Sequence, residues 1–212
     1  MFRTALACAA LALGGYASAA WLTHDFQVWT AEGARRLEVA LAPVAAPPVT
    51  VEGPGLAPQP LPQALAGDRS VTVVDFFYTR CQTVCLSLGS VFQQMQAQLQ
   101  ASPASDAAAS RVKLMSITFD ERDTPQDLQA YAARMKADPA LWRFVRVADR
   151  QQAQRLLADF QVVVVPDGRG DFEHNAALLV VDGSGRLARI FDPAEQQLAL
   201  DYARHLAGKA SP

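Results

Sequence analysis

Cysteine, net charge and repetition are all scarce in this chain. Three cysteines in 212 residues are too few for a disulfide-built scaffold. A formal net charge of -2 and a pI near 5.9 leave no basic excess, so no nucleic-acid partner is expected. No internal repeat occurs, which excludes a solenoid or an array. Half of the residues are hydrophobic, enough for one sizeable core in a chain of this length.

Charge is also missing locally. Between Arg3 and Asp25 there is no Asp, Glu, Lys or Arg. Thr4 to Leu22 is almost wholly apolar or small, just long enough to cross a bilayer as a helix. Arg3 on the short N-terminal side favours keeping that end in the cytoplasm. Ala17-Ser18-Ala19 also fits a small-x-small cleavage site. Residues 1–22 are therefore expected to be a transmembrane anchor or a signal segment. Both readings export the rest of the chain: to the outer face of the inner membrane as a single-pass protein in the periplasm of a Gram-negative cell, or free in the periplasm after cleavage. Cys8 lies inside this segment and is set aside.

Residues 23–48 read as a juxtamembrane stretch and a tether. Trp29 suits an interfacial anchor or a short packed element. From Leu41 to Pro62 the prolines at 43, 47, 48, 54, 58, 60 and 62 argue against helix and for a semi-extended segment. A domain is expected over 49–212, with Val49-Thr50-Val51 as a short edge strand. Val71 to Tyr78 is a near-continuous apolar run, the mark of a strand covered on both faces. Cys85 to Leu99 has helical spacing. Val112 to Phe119 predicts a second strand, and Asp123-Thr124-Pro125 opens a helix with a cap and a first-turn proline. Arg143 to Val147 is a short strand candidate, and Asp149 caps a helix through Phe160. Gln161 to Asn175 reads as a loop. Ala176 to Asp182 and Arg186 to Phe191 form a hairpin about Gly183-Ser184-Gly185, and Ala194 to Ala207 closes the chain as a helix. A helix crossing between the first two strands makes them parallel. The expected class is α/β: a four-stranded mixed sheet with helices on both faces, resembling the thioredoxin fold.

The remaining two cysteines stand where the first strand meets its helix, as Cys81-Gln82-Thr83-Val84-Cys85. Residues four apart share one helix face, and a helix N-terminus favours thiolates. Two convergent thiolates suit Cu(I), or Cu(II) when a nitrogen joins them; they can equally close as a Cys81–Cys85 disulfide. Of the three histidines, His24 and His205 read as surface residues. His174 precedes the strand whose start faces the thiol pair in a thioredoxin-like sheet, so it can supply an imidazole. In Asp120-Glu121-Arg122-Asp123-Thr124-Pro125, the helix cap explains Asp123 or Thr124. Asp120 or Asp123 can instead act in the outer shell of a metal.

CQTVC after FFYT, DERDTP after a strand, and HNAALLVVDGSG together resemble the SCO/SenC family, from about Val71 to the C-terminus. The resemblance is to a divergent member. Gln82 and Leu86 stand where the family usually has proline, and Asn175 where it has serine. The family comprises membrane-tethered, thioredoxin-like copper proteins that help assemble the copper centre of cytochrome c oxidase. The resemblance implies one copper ion, Cu(I) or Cu(II), held by Cys81, Cys85 and His174. It implies a metallochaperone that turns over no substrate, with the copper-accepting oxidase subunit or another copper chaperone as partner. The alternative is an exported thiol-disulfide oxidoreductase in which Cys81 attacks and Cys85 resolves.

Overall fold

The computed structural model describes residues 2–81, 84–103 and 105–209, with the side chains of residues 68 and 84–87 outside that description. The chain opens with α1 (Phe2–Leu22), which buries no side chain in the protein and is long and apolar enough to cross a membrane by length and composition. A turn carrying left-handed backbone at His24, Asp25 and Phe26 leads to α2 (Ala31–Leu41). Thr30 caps that helix by accepting from the Gly33 amide. Three short strands come next, β1 (Val44–Ala45), β2 (Thr50–Gly53) and β3 (Leu56–Pro60), and then α3 (Leu61–Ala66).

The central layer is built from the elements beyond them. In order come β4 (Val71–Phe77), α4 (Val84–Gln100), α5 (Ala107–Ser110), β5 (Val112–Thr118), α6 (Pro125–Arg134), β6 (Trp142–Arg146) and α7 (Arg150–Asp159). A small hairpin, β7 (Val164–Pro166) with β8 (Phe172–His174), precedes β9 (Leu178–Val181), β10 (Arg186–Phe191) and α8 (Gln196–Lys209). The main sheet runs β1-β10-β9-β4-β5-β6-β2-β3. Strands β4, β5 and β6 are parallel, and β9 joins β4 antiparallel.

This is a thioredoxin-like mixed α/β sheet with helices on both faces. Every residue of β4 is buried, as its apolar run requires of a strand covered twice. Its side chains divide by the period of two. Val71, Val73 and Phe77 join Phe92 and Met95 of α4, Leu128 and Tyr131 of α6, and Ala199, Leu200 and Ala203 of α8. Val74 and Phe76 join Val39 of α2, Leu61 and Leu65 of α3, and Leu156 of α7.

The sheet has eight strands, not the four expected. The proline-rich stretch supplies part of the difference. β2 pairs with β6 and with β3, and β3 closes that edge. An edge strand leaves one row of amides unpaired, so Pro58 and Pro60 cost it no ladder bond there. β1 pairs with β10 at the other edge. α2 is folded onto the same body, with Val39 buried and Arg35 Nη2 donating to the Phe160 carbonyl at 3.1 Å. The stretch read as the loop 161–175 holds the β7–β8 hairpin.

Candidate metal centre

The carboxyl end of β4 delivers Tyr78, Thr79, Arg80 and Cys81 to the rim of the sheet. Cys81 is only 5% exposed and packs in the core cluster of the α4 face. Its amide donates to the Tyr78 carbonyl at 3.3 Å, closing a tight turn. Tyr78 and Cys81 lie in the same buried cluster, and the Tyr78 hydroxyl donates to Asp171 Oδ1 at 3.2 Å. Cys85 falls in the first turn of α4, and its side chain lies outside the described residues. The Cys81–Cys85 pairing and the complete three-ligand set therefore lie outside them too.

Asp123 fixes the turn that carries Cys81. Its carboxylate accepts from the Thr79 amide at 2.9 Å, from the Thr79 hydroxyl at 2.5 Å and from the Thr118 hydroxyl at 2.5 Å. It thereby ties the end of β4 to the end of β5. Arg146 donates to the Asp123 carbonyl at 2.8 Å, and Arg134 to the Thr79 carbonyl at 3.2 Å. Helix α6 is capped by the next residue: Thr124 and Asp127 form a reciprocal capping box with Pro125 in the first turn. The cap and the tie are thus separate jobs on neighbouring residues.

Asp120 is buried between two guanidinium groups. Arg122 donates to both of its oxygens at 2.8 and 2.9 Å, and Arg80, next to Cys81, reaches it from the other side. Burial alone pushes this carboxyl up, but the hydrogen bonds from Arg122 and Arg80 outweigh it and hold it below its ordinary value. Arg122 thus pairs with a carboxylate two residues before it. Both aspartates act on the loop around Cys81, one through the Thr79 backbone and the other through Arg80.

His174 ends β8. Its backbone is set by the pairing of His174 with Val164, and its ring meets Phe119 edge-on with centroids 5.1 Å apart. Phe119 in turn packs on Tyr78 at 5.4 Å and on Phe172 at 5.5 Å. The aromatic cluster thus runs from the histidine to Tyr78, whose carbonyl accepts from the Cys81 amide. Burial holds the imidazole below its ordinary pKa, which keeps it in the neutral form that ligates metals. His24 faces Glu38 at 3.6 Å near the α1–α2 turn, and His205 lies on α8; neither belongs to this site. Among the described residues no three His, Cys, Asp or Glu side chains converge on one point.

Asn175 performs a task that its sequence position alone did not reveal. Its Oδ1 accepts from the Val163 amide at 2.8 Å, and its Nδ2 donates to the Gln161 carbonyl at 3.1 Å. It closes the base of the hairpin that carries His174. Tyr78 was also missed as a site residue, since in sequence it is only the last aromatic of an apolar strand.

Comparison with known proteins places this geometry. The family model described as SCO1/SenC matches residues 63–207. A curated relative, the SCO1 protein homolog of Bacillus subtilis (strain 168), is 24% identical over 136 residues, 63% of this chain. The match spans 66% of that relative's length, just under two thirds. Among solved structures, BsSco superposes with a TM-score of 0.65 at 19% identity, covering 79% of this chain and 95% of that one. BsSco is described as a member of the Sco family of cytochrome c oxidase assembly proteins in which a disulfide switch was identified. ScoI of Bradyrhizobium japonicum, solved with copper bound, gives a TM-score of 0.61 at 21% identity, covering 76% and 99% of the two chains.

Proposed function

The chain belongs to the SCO1/SenC family, and from that premise we propose that it is a copper-binding metallochaperone. It holds one copper ion between the Cys81 and Cys85 thiolates and the His174 imidazole, and passes it to the copper centre of a respiratory cytochrome c oxidase. The observation that carries this reading is the placement of a buried thiol and a half-buried imidazole at the two ends of one aromatic cluster. Two soft thiolates and a borderline imidazole suit copper in either oxidation state. The copper bound in ScoI of Bradyrhizobium japonicum supports the cargo. The family of BsSco supports the destination. Helix α1 supports an inner-membrane anchor with the domain on the periplasmic side. Asp120 and Asp123 act as outer-shell residues, orienting the Cys81 turn without touching the ion.

Transfer needs no substrate turnover. Each acceptor ligand replaces one sulfur or the imidazole in turn, so the ion is never released to solvent. A second reading gains support from the disulfide switch in BsSco. In it the reduced Cys81 and Cys85 give up two electrons and two protons, close as a disulfide and convert an acceptor disulfide to two thiols.

One experiment separates the two. The copper-loaded protein is mixed with the isolated, copper-free domain of an oxidase subunit whose cysteines are already reduced. The expected outcome is loss of the thiolate-to-copper absorption here and its appearance on the acceptor, one ion per chain. Repeating the mixture with a disulfide-closed acceptor and metal-free protein tests the second reading by thiol counting. No transfer in the first mixture contradicts the chaperone reading; new acceptor thiols in the second support the reductase one.

A further inference from the structure

Helix α1, of membrane-spanning length, ends among unburied aromatic side chains. Trp21 and Trp29 are 80% and 73% exposed. Phe26 is exposed too, with its ring 5.4 Å from Tyr16 of α1 and 5.9 Å from Trp29. Water solvates such a patch poorly. Tryptophan and tyrosine instead collect at the level of lipid headgroups, beside the ends of membrane-spanning helices.

The first turns of α2 are bound to one end of the sheet. Arg35 donates to the Phe160 carbonyl, and Arg36 reaches Asp192 at 3.4 Å and Glu195 at 3.5 Å. The Phe160 ring meets Phe76, near the carboxyl end of β4, edge-on at 6.3 Å. Asp192 follows Phe191, the last residue of β10. Strands β4 and β10 are each antiparallel to β9, so they run the same way. Phe191 pairs with Leu178, and Leu179 with Val74, which sets Asp192 level with the last residues of β4. The two carboxyl ends are two strand spacings apart, roughly 10 Å. Beyond the other end of α2, β1 pairs with Arg186 and Leu187 at the start of β10. Helix α2 therefore begins at the end of the sheet that carries the Cys81 turn and runs away from it.

The contacts of α1 give it a direction as well. Trp21, Leu22 and His24 line one groove with Ala34 and Glu38 of α2, and His24 Nε2 lies 3.6 Å from Glu38 Oε1. Tyr16, farther back on α1, meets Phe26, and Phe26 meets Trp29 just ahead of α2. Tyr16 is thus level with the start of α2, and the end of α1 with its middle. Both helices point the same way, and the rest of α1 projects past the start of α2, on the side of the sheet where Cys81 and His174 stand.

We infer that α1 and α2 seat the domain on the bilayer with the rim of the metal centre turned toward the lipid surface, the headgroup layer covering Trp21, Phe26 and Trp29. This orientation rests on the membrane-anchor reading above and not on the copper one. A site held this way meets partners whose own sites stand at the membrane surface, and its height is set by α2 rather than by a swinging tether.

The test uses the full chain carrying Cys8→Ser, Cys81→Ser and Cys85→Ser, reconstituted in vesicles of phosphatidylcholine and phosphatidylglycerol doped with a gadolinium-chelate headgroup lipid. A nitroxide is attached through Arg169→Cys or through Ser184→Cys, both exposed positions. Residue 169 lies at the hairpin tip, which Arg122 and Tyr78 hold on the rim; residue 184 lies in the β9–β10 turn, at the other end of the sheet. Strand β10 alone separates these levels by about 20 Å. Relaxation of the nitroxide by gadolinium is expected to be severalfold faster at 169 than at 184. Adding Phe26→Ser and Trp29→Ser is expected to bring the two rates together while the protein still floats with the vesicles. Equal rates with both aromatics in place, or the faster rate at 184, would overturn the inference. So would a difference that survives the loss of both aromatics. Protein that does not float with the vesicles at all would overturn the anchor reading and this inference with it. Copper binding by the wild-type chain is measured separately and is decided by none of these outcomes.

Discussion

Asp123→Ala is expected to destabilise the protein by about 3 kcal/mol and to weaken copper binding along with it. The carboxylate is 2% exposed and receives the Thr79 amide, the Thr79 hydroxyl and the Thr118 hydroxyl. Alanine leaves three donors facing a small void. Each buried orphan costs about 1–3 kcal/mol, and water entering the gap recovers part of the sum. The loss falls on the turn two residues before Cys81, so the thiol loses its fixed bearing as the fold loses stability. Asp123→Asn retains an acceptor oxygen and the packing, and should lie between alanine and wild type. Denaturant midpoints and copper titrations on the three proteins check this. An unchanged midpoint in Asp123→Ala would mean that Arg134 and the Arg80–Asp120 pair hold the turn unaided.

The second large effect concerns pH. Asp75 is 2% exposed and lies on β4 in register with Ser116. Its Oδ1 makes no hydrogen bond among the described residues, and Ser116, itself the acceptor of the Trp142 indole N–H at 2.9 Å, gives the carboxyl only partial relief. Burial lifts its pKa from 3.8 to about 7. Between these values the unfolded chain has lost the proton and the native chain keeps it. The unfolded state then binds fewer protons, so stability falls as pH rises through that window. Below it both states are protonated and nothing is lost; above it the cost is complete, on the order of a few kcal/mol. Asp75→Asn is neutral at every pH. It should therefore melt above wild type at pH 8, by roughly 5–10 °C, with the gap closing below pH 4. Melting curves at the two pH values check it, and an equal gap at both would show that Asp75 does not titrate with folding.

The parts legible in the sequence were those with a long, regular pattern. β4 was legible as a near-continuous apolar run, and every position of Val71–Phe77 is buried; α6 was legible from Asp123-Thr124-Pro125 at its start, whereas the part of Asp127 in the capping box shows only in the fold. The cysteines were placed by that strand and the helix after it. The edges of the sheet were not legible. β3 has mostly exposed side chains and two prolines, and it is a strand only because β2, itself paired with β6, lies beside it. The hairpin β7–β8 is three residues paired with three, too short for any period to show. His174 could be singled out by its place before a strand. What seats it could not, because Tyr78 meets Asp171 across 93 positions of chain and Arg122 meets Gly170 across 48. Such ties are properties of the folded sheet and leave no local signal.

The central claim is that one copper ion sits between Cys81, Cys85 and His174, and a copper titration tests it most directly. Wild type, Cys81→Ser, Cys85→Ser and His174→Ala are titrated side by side, with the thiolate-to-Cu(II) absorption and the bound metal read together. The account predicts one ion per chain in wild type and no thiolate band of wild-type intensity in either serine variant. Since loss of an outer-shell partner alone costs about 10–100-fold in affinity, loss of the imidazole ligand should weaken binding by about 100-fold or more. Wild-type affinity and an unchanged band in His174→Ala would contradict it.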